Sequence, residues 1–79
     1  MTRRPITLPE LGTPHATFSL WYVQLGDPVY EGDRVAEVLI PGATIDVSAT
    51  ASGLLVEKHV QANDPLSAGH VLGEIEATD

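Results

Sequence analysis

Two stretches decide the fold: VQLGDPVYEGDRVAEV at residues 23–38 and VQANDPLSAGHVLGEI at residues 60–75. Shifted by 37 positions, they coincide at Val23/Val60, Gln24/Gln61, Asp27/Asp64, Pro28/Pro65, Gly32/Gly69 and Glu37/Glu74. Val29/Leu66, Val35/Leu72 and Val38/Ile75 are apolar in both copies. Gly26 falls on Asn63. Glycine and asparagine best tolerate a left-handed backbone, so the same turn at positive φ is expected twice. Asp27 and Asp64 recur with these turns and read as side chains that hydrogen-bond them. A copy of 37 residues is too short to sustain a core alone. The halves must therefore pack on each other, most simply about a pseudo-two-fold axis.

Glycine and proline punctuate the whole chain, and no stretch free of both exceeds the length of His15 to Leu25, which residues 54–64 equal. A helix of ordinary length has almost nowhere to fit. Short runs rich in Val, Ile, Leu and Thr lie between the punctuation: residues 17–23 (TFSLWYV), 35–40 (VAEVLI), 44–48 (TIDVS), 54–60 (LLVEKHV) and 71–75 (VLGEI). These read as strands. Their period of two places Ile45 and Val47 on one face and turns Asp46 outward. The expected class is all-β, a small sandwich or barrel.

Composition narrows the function. The 79 residues amount to one domain, 1–79, with half-repeats at about 5–40 and 43–77 joined by a hairpin at 39–43. The net charge of −7, with four cations against eleven carboxylates, argues against nucleic acid as a partner. There are no cysteines, which excludes thiol chemistry and the common structural zinc sites and favours a reducing compartment. No apolar run approaches the roughly 20 residues of a membrane span, and no apolar segment follows Arg3 and Arg4 as a secretory signal would require. The expected location is the cytoplasm, or the mitochondrial matrix in a eukaryote.

The pattern formed by Trp21, Val23, Gly26, Asp27, Val29, Gly32 and Asp33 resembles the first half of a lipoyl or biotinyl carrier domain. Residues 6–12 (ITLPELG) are similar to the first strand of lipoyl domains in 2-oxo acid dehydrogenase acyltransferases (dihydrolipoamide acyltransferase), and residues 52–75 resemble the second half. The resemblance covers about residues 5–77. It implies a flattened barrel, or barrel-sandwich hybrid, of two small antiparallel sheets with pseudo-two-fold symmetry. It also implies a hairpin between the halves whose tip carries Asp-Lys-Ala in lipoyl domains and Met-Lys-Met in biotinyl ones, the lysine amine being acylated by lipoate or biotin.

Residues 37–47 (EVLIPGATIDV) fall on that hairpin without a gap, so Pro41 takes the aspartate position, Gly42 the lysine position, and Ala43 is retained. Amide formation needs a primary amine, and none of the three offers one. Lys58 is the one lysine in the chain and belongs to a strand, paired by the repeat with Trp21. Pro41 and Gly42 suit a type II turn, since proline fixes φ near −65° and glycine supplies φ > 0 after it. Leu39 and Ile40 stand where the family often has polar residues. Apolar side chains there serve either as a docking patch or as an extension of the core.

Other chemistry finds little support. His15, His59 and His70 are 44 and 11 residues apart, which matches no metal-ligand motif, although a strand puts His59 near Glu57. No carboxylate pair is marked for acid–base work, and Trp21 reads as packing either between the halves or on the sheet surface. The resulting expectation is an accessory domain and not an enzyme. It has no catalytic residues, bound metal or attached cofactor, and serves as a structural or docking module for protein partners in a multienzyme complex. It is expected to be monomeric in isolation and not inserted in a membrane. The alternatives are a barrel-sandwich module of a membrane-fusion adaptor, which usually carries a helical hairpin between its halves, and an altered form of a working acyl carrier.

Overall fold

The computed structural model describes residues 2–78. Eight strands form: β1 (Arg3–Thr7), β2 (Ala16–Trp21), β3 (Pro28–Val29), β4 (Arg34–Ile40), β5 (Ala43–Ser48), β6 (Gly53–Lys58), β7 (Pro65–Leu66) and β8 (Val71–Ala77). They assemble into two four-stranded antiparallel sheets, ordered β1-β8-β6-β3 and β5-β4-β2-β7. Exchanging β1 with β5, β8 with β4, β6 with β2 and β3 with β7 turns one sheet into the other. The 37-residue shift maps β2, β3 and β4 onto β6, β7 and β8 residue for residue. It even maps the irregularity between Phe18 and Leu20 onto that between Leu55 and Glu57. The pseudo-two-fold symmetry expected from the repeat is the architecture of the molecule.

The repeated turns tie the halves together. Gly26 (φ 89°) and Asn63 (φ 74°) are both left-handed. The Asp27 carboxylate accepts from the Gln24 amide at 2.8 Å, and the Asp64 carboxylate from the Gln61 amide at 3.0 Å. Each turn then crosses over: the Gly26 amide donates to the Leu55 carbonyl at 2.7 Å, and the Asn63 amide to the Phe18 carbonyl at 2.9 Å. Beside these bonds, β3 pairs with β6 and β7 with β2. Neither half can complete a sheet without the other.

Between the sheets lies a wholly apolar core, with no buried polar or charged residue among those described. The repeat supplies it in pairs: Phe18 and Leu55, Val29 and Leu66, Val35 and Leu72, Val38 and Ile75. Full burial of such side chains contributes about 1.5–3 kcal/mol each relative to exposure. Trp21 breaks the symmetry. Its ring centroid lies 5.2 Å from that of Phe18, and its Nε1 donates to the Val60 carbonyl at 3.1 Å. Its six-membered ring packs against Gly73 of β8. The indole thus joins the halves, the first of the two placements open to it from the sequence.

Two sequence expectations shift. The first strand is Arg3–Thr7 and not 6–12. Leu8 still bonds the His70 carbonyl at 2.9 Å, but Pro9 has no amide with which to extend the ladder. The runs at 17–23 and 54–60 end as strands at Trp21 and Lys58, where the chain bends into the repeated turns.

Candidate functional site

The hairpin between β4 and β5 is closed by the pair Ile40 and Ala43, leaving Pro41 and Gly42 as its two-residue loop. Gly42 has φ 79°, the value for the third position of a type II turn after proline. Pro41, Gly42 and Ala43 are exposed. The two apolar neighbours divide as the pleat demands. Ile40 is half-buried and packs on the core, whereas Leu39 points outward and is 40% exposed. Ile40 is therefore an extension of the core, and Leu39 alone offers apolar surface beside the tip. No side chain at 41–43 carries an amine, hydroxyl or carboxylate.

Lys58 lies elsewhere. It sits on the other sheet, half-buried, with its ammonium 5.4 Å from the centroid of the Trp21 ring. Trp21 is registered with Ala36, five residues before Pro41. At about 3.3 Å per strand residue, that is roughly 16 Å from the tip along the strand. The residue pair that the repeat aligns, Trp21 and Lys58, is thus in direct contact across the two-fold.

The outward faces of the sheets carry two equivalent polar clusters. On one, the Tyr22 hydroxyl donates towards Asp46 at 3.2 Å and lies 3.4 Å from Glu37, Ser19 donates to Glu37 at 2.8 Å, and Arg34 pairs with Asp46 at 3.3 Å and lies over the Tyr22 ring. Partial burial, and then the Asp46 carboxylate, push the Tyr22 pKa up. On the other, His59 meets Glu74 at 2.8 Å, while Arg3 bridges Glu57 at 3.2 Å and Glu74 at 3.7 Å. The His59 hydrogen bond, aided by Arg3, holds Glu74 below the usual carboxylate range. His59 thus partners Glu74 and not Glu57. Sequence reasoning missed both clusters because each joins residues from three strands. Among the described residues no group of three or more histidines and carboxylates is placed to hold a metal ion, and no helix is long and apolar enough to cross a membrane.

A family model described as "Biotin-requiring enzyme", that of the biotin/lipoyl family, matches residues 4–75. The chain belongs to the biotin/lipoyl family. Among solved structures, the lipoyl domain of the 2-oxoglutarate dehydrogenase complex from Azotobacter vinelandii is similar at 22% identity, over 86% of this chain and 85% of that one, with a TM-score of 0.65. That likeness is one of fold. No match is found among curated proteins. A biotin/lipoyl domain of this type is a carrier or accessory unit and not a catalyst. Two surface depressions, one near Arg4 and Ser52 and one near Glu10 and Ser67, lie away from the hairpin tip.

Proposed function

We propose that this lipoyl-type domain takes no lipoyl or biotinyl group and acts as a docking or structural module among the protein partners of a 2-oxo acid dehydrogenase-type complex, in the cytoplasm or the mitochondrial matrix. The observation that carries the reading is the Pro41-Gly42 turn at the tip of the hairpin between the halves. An amide-linked cofactor needs a primary amine there, and the tip has none. The one lysine of the chain is held against Trp21 on the other sheet. The short hairpin also disfavours the membrane-fusion adaptor reading, which calls for a helical insertion at this point.

Co-expression with a lipoate ligase and, separately, a biotin ligase, followed by intact-mass measurement, tests the reading. The expected result is the unmodified mass, and a gain of one lipoyl or biotinyl group overturns it. The double substitution Pro41→Asp, Gly42→Lys probes the scaffold. Space around Gly42 is open, and its left-handed conformation costs a side chain about 1–2 kcal/mol unless the turn, no longer fixed by Pro41, changes type. The folded double variant is expected to gain the cofactor mass.

A further inference from the structure

Each sheet has a long edge strand at the equivalent place: β1 in one, β5 in the other. The two edges are finished differently. On β5 the Ala49 amide donates inward to the Asp33 carbonyl at 2.8 Å, and its carbonyl accepts from Gly32 at 3.0 Å. The hairpin-closing residue Ala43 likewise faces β4. Direction alternates along a strand, so Ala43, Ile45 and Val47 bond to β4, while the amides and carbonyls of Thr44, Asp46 and Ser48 point away from the sheet. The side chains of these three residues are exposed.

On β1 the Ala77 amide donates to the Thr2 carbonyl at 2.8 Å, and the same alternation makes Arg3, Pro5 and Thr7 the outward residues. Pro5, which faces Glu74 as Asp46 faces Glu37, has no N–H to offer. Its carbonyl is covered by the Thr50 hydroxyl at 3.0 Å. The centre of the β1 edge is therefore closed to pairing, by a device native proteins use to blunt exposed edges. The centre of the β5 edge, at Asp46, has both groups open.

We propose that the outer edge of β5 is a strand-addition site for an extended, basic segment of a partner protein. Such a segment would pair its backbone with Thr44, Asp46 and Ser48 and continue the β5-β4-β2-β7 sheet. The chemistry of the edge specifies the rest. On the outer face the added strand lies beside Asp46, whose carboxylate is engaged by Arg34 and Tyr22 on the β4 side only, in a chain of net charge −7, so that face takes lysine or arginine. On the inner face it lies beside half-buried Ile45, so the alternate positions take apolar side chains. A second copy of this chain is the wrong occupant. Antiparallel pairing of β5 with itself about its centre would set Asp46 against Asp46 and join two strongly acidic molecules. The proposal holds whether or not the hairpin carries a cofactor.

The test uses the whole chain and a capped nine-residue peptide alternating lysine and valine, followed by amide chemical shifts and hydrogen exchange. In the free protein the amides of Thr44, Asp46 and Ser48 are expected to exchange freely. Saturating peptide should slow them at least tenfold, with shift changes concentrated at residues 43–48. Asp46→Pro, which copies the Pro5 device, should weaken binding at least tenfold. Asp46→Asn, which keeps the amide, should weaken it about two- to fivefold. Peptides N-methylated on alternate amides, in both registers, should lose binding in at least one register, and they carry the test if Asp46→Pro does not fold. Equal binding by both methylated peptides, or by a peptide with its lysines and valines in separate blocks, would overturn the proposal. So would slow exchange of the three amides in the free chain, or a concentration-dependent dimer formed through β5.

Discussion

Gly73→Ala is expected to destabilise the domain, opposite to the usual sign for a glycine inside a strand. Adding a methyl group there ordinarily gains roughly 0.5–1 kcal/mol from reduced chain entropy. Here the new Cβ would stand 2.5 Å from the Glu57 carbonyl oxygen and 2.9 Å from Cη2 of Trp21, whereas ordinary contact begins near 3.4 Å. The backbone at Glu57 must yield by about 0.9 Å and the indole by about 0.5 Å. Neither is free to do so. Glu57 borders the irregularity in the β6–β8 ladder, and the indole is held by Val60 and Phe18. Overpacking of this kind costs about 1–3 kcal/mol, so the net loss is about 1–2 kcal/mol. For a domain of this size the melting temperature should fall by about 4–15 °C. Circular dichroism reads the melting, and urea titration followed by fluorescence of Trp21, the one tryptophan, gives the free energy. In a Trp21→Leu background the indole clash disappears and the carbonyl clash stays, so Gly73→Ala should cost less there by at least about 0.5 kcal/mol. An unchanged or raised melting temperature, with unaltered emission, would refute the account of Trp21 as the wedge between the halves.

Asp27→Ala and Asp64→Ala each remove one turn hydrogen bond of the same geometry. Each should cost about 0.5–1.5 kcal/mol, and the double variant should cost their sum, as measured by urea denaturation. Losses differing by more than about 1 kcal/mol would contradict the equivalence of the turns. Phe18→Ala should cost about 3–5 kcal/mol, a large part of what a domain of this length possesses. A melting curve near that of the parent would contradict its central place in the core. Glu74 is held ionised in the folded state, so its contribution is present above its ordinary pKa of 4.5 and is lost as pH falls through its lower folded value. His59→Ala should move that titration upward towards 4.5, as followed by carboxyl NMR, and an unmoved titration would deny the His59 bond its role.

The fold was legible because the repeat writes its turn chemistry twice. Gly26 and Asn63, Asp27 and Asp64, Gly32 and Gly69 announce the same corners, and alternation in 44–48 placed Val47 inside and Asp46 outside. The short strands β3 and β7 were hidden because each follows directly on a turn, and their partners lie in the other half of the chain. The turn within 39–43 is legible because Pro41 and Gly42 dictate it locally. The division of labour between Ile40 and Leu39 was not readable, because it depends on which face of the pleat meets the core. The difference between the β1 and β5 edges was also out of reach. A proline at position 5 is plain in the sequence, but its equivalence to Asp46 requires the register of two ladders.

The exchange of short strands between the halves has a consequence for the birth of the molecule. β8 lies between β1 and β6, and it is the last of the eight strands to be synthesised. Until about residue 77 has been added, the β1-β8-β6-β3 sheet lacks a central strand, and the β5-β4-β2-β7 sheet, whose last strand ends at Leu66, has no complete partner to cover its inner face. At about 5–20 residues per second, the stretch from the end of β1 to the end of β8 takes roughly 4–14 s to make, and the earlier apolar strands stay uncovered meanwhile. The strand that closes the core is thus the last one the ribosome delivers, and the apolar faces of both sheets wait on it.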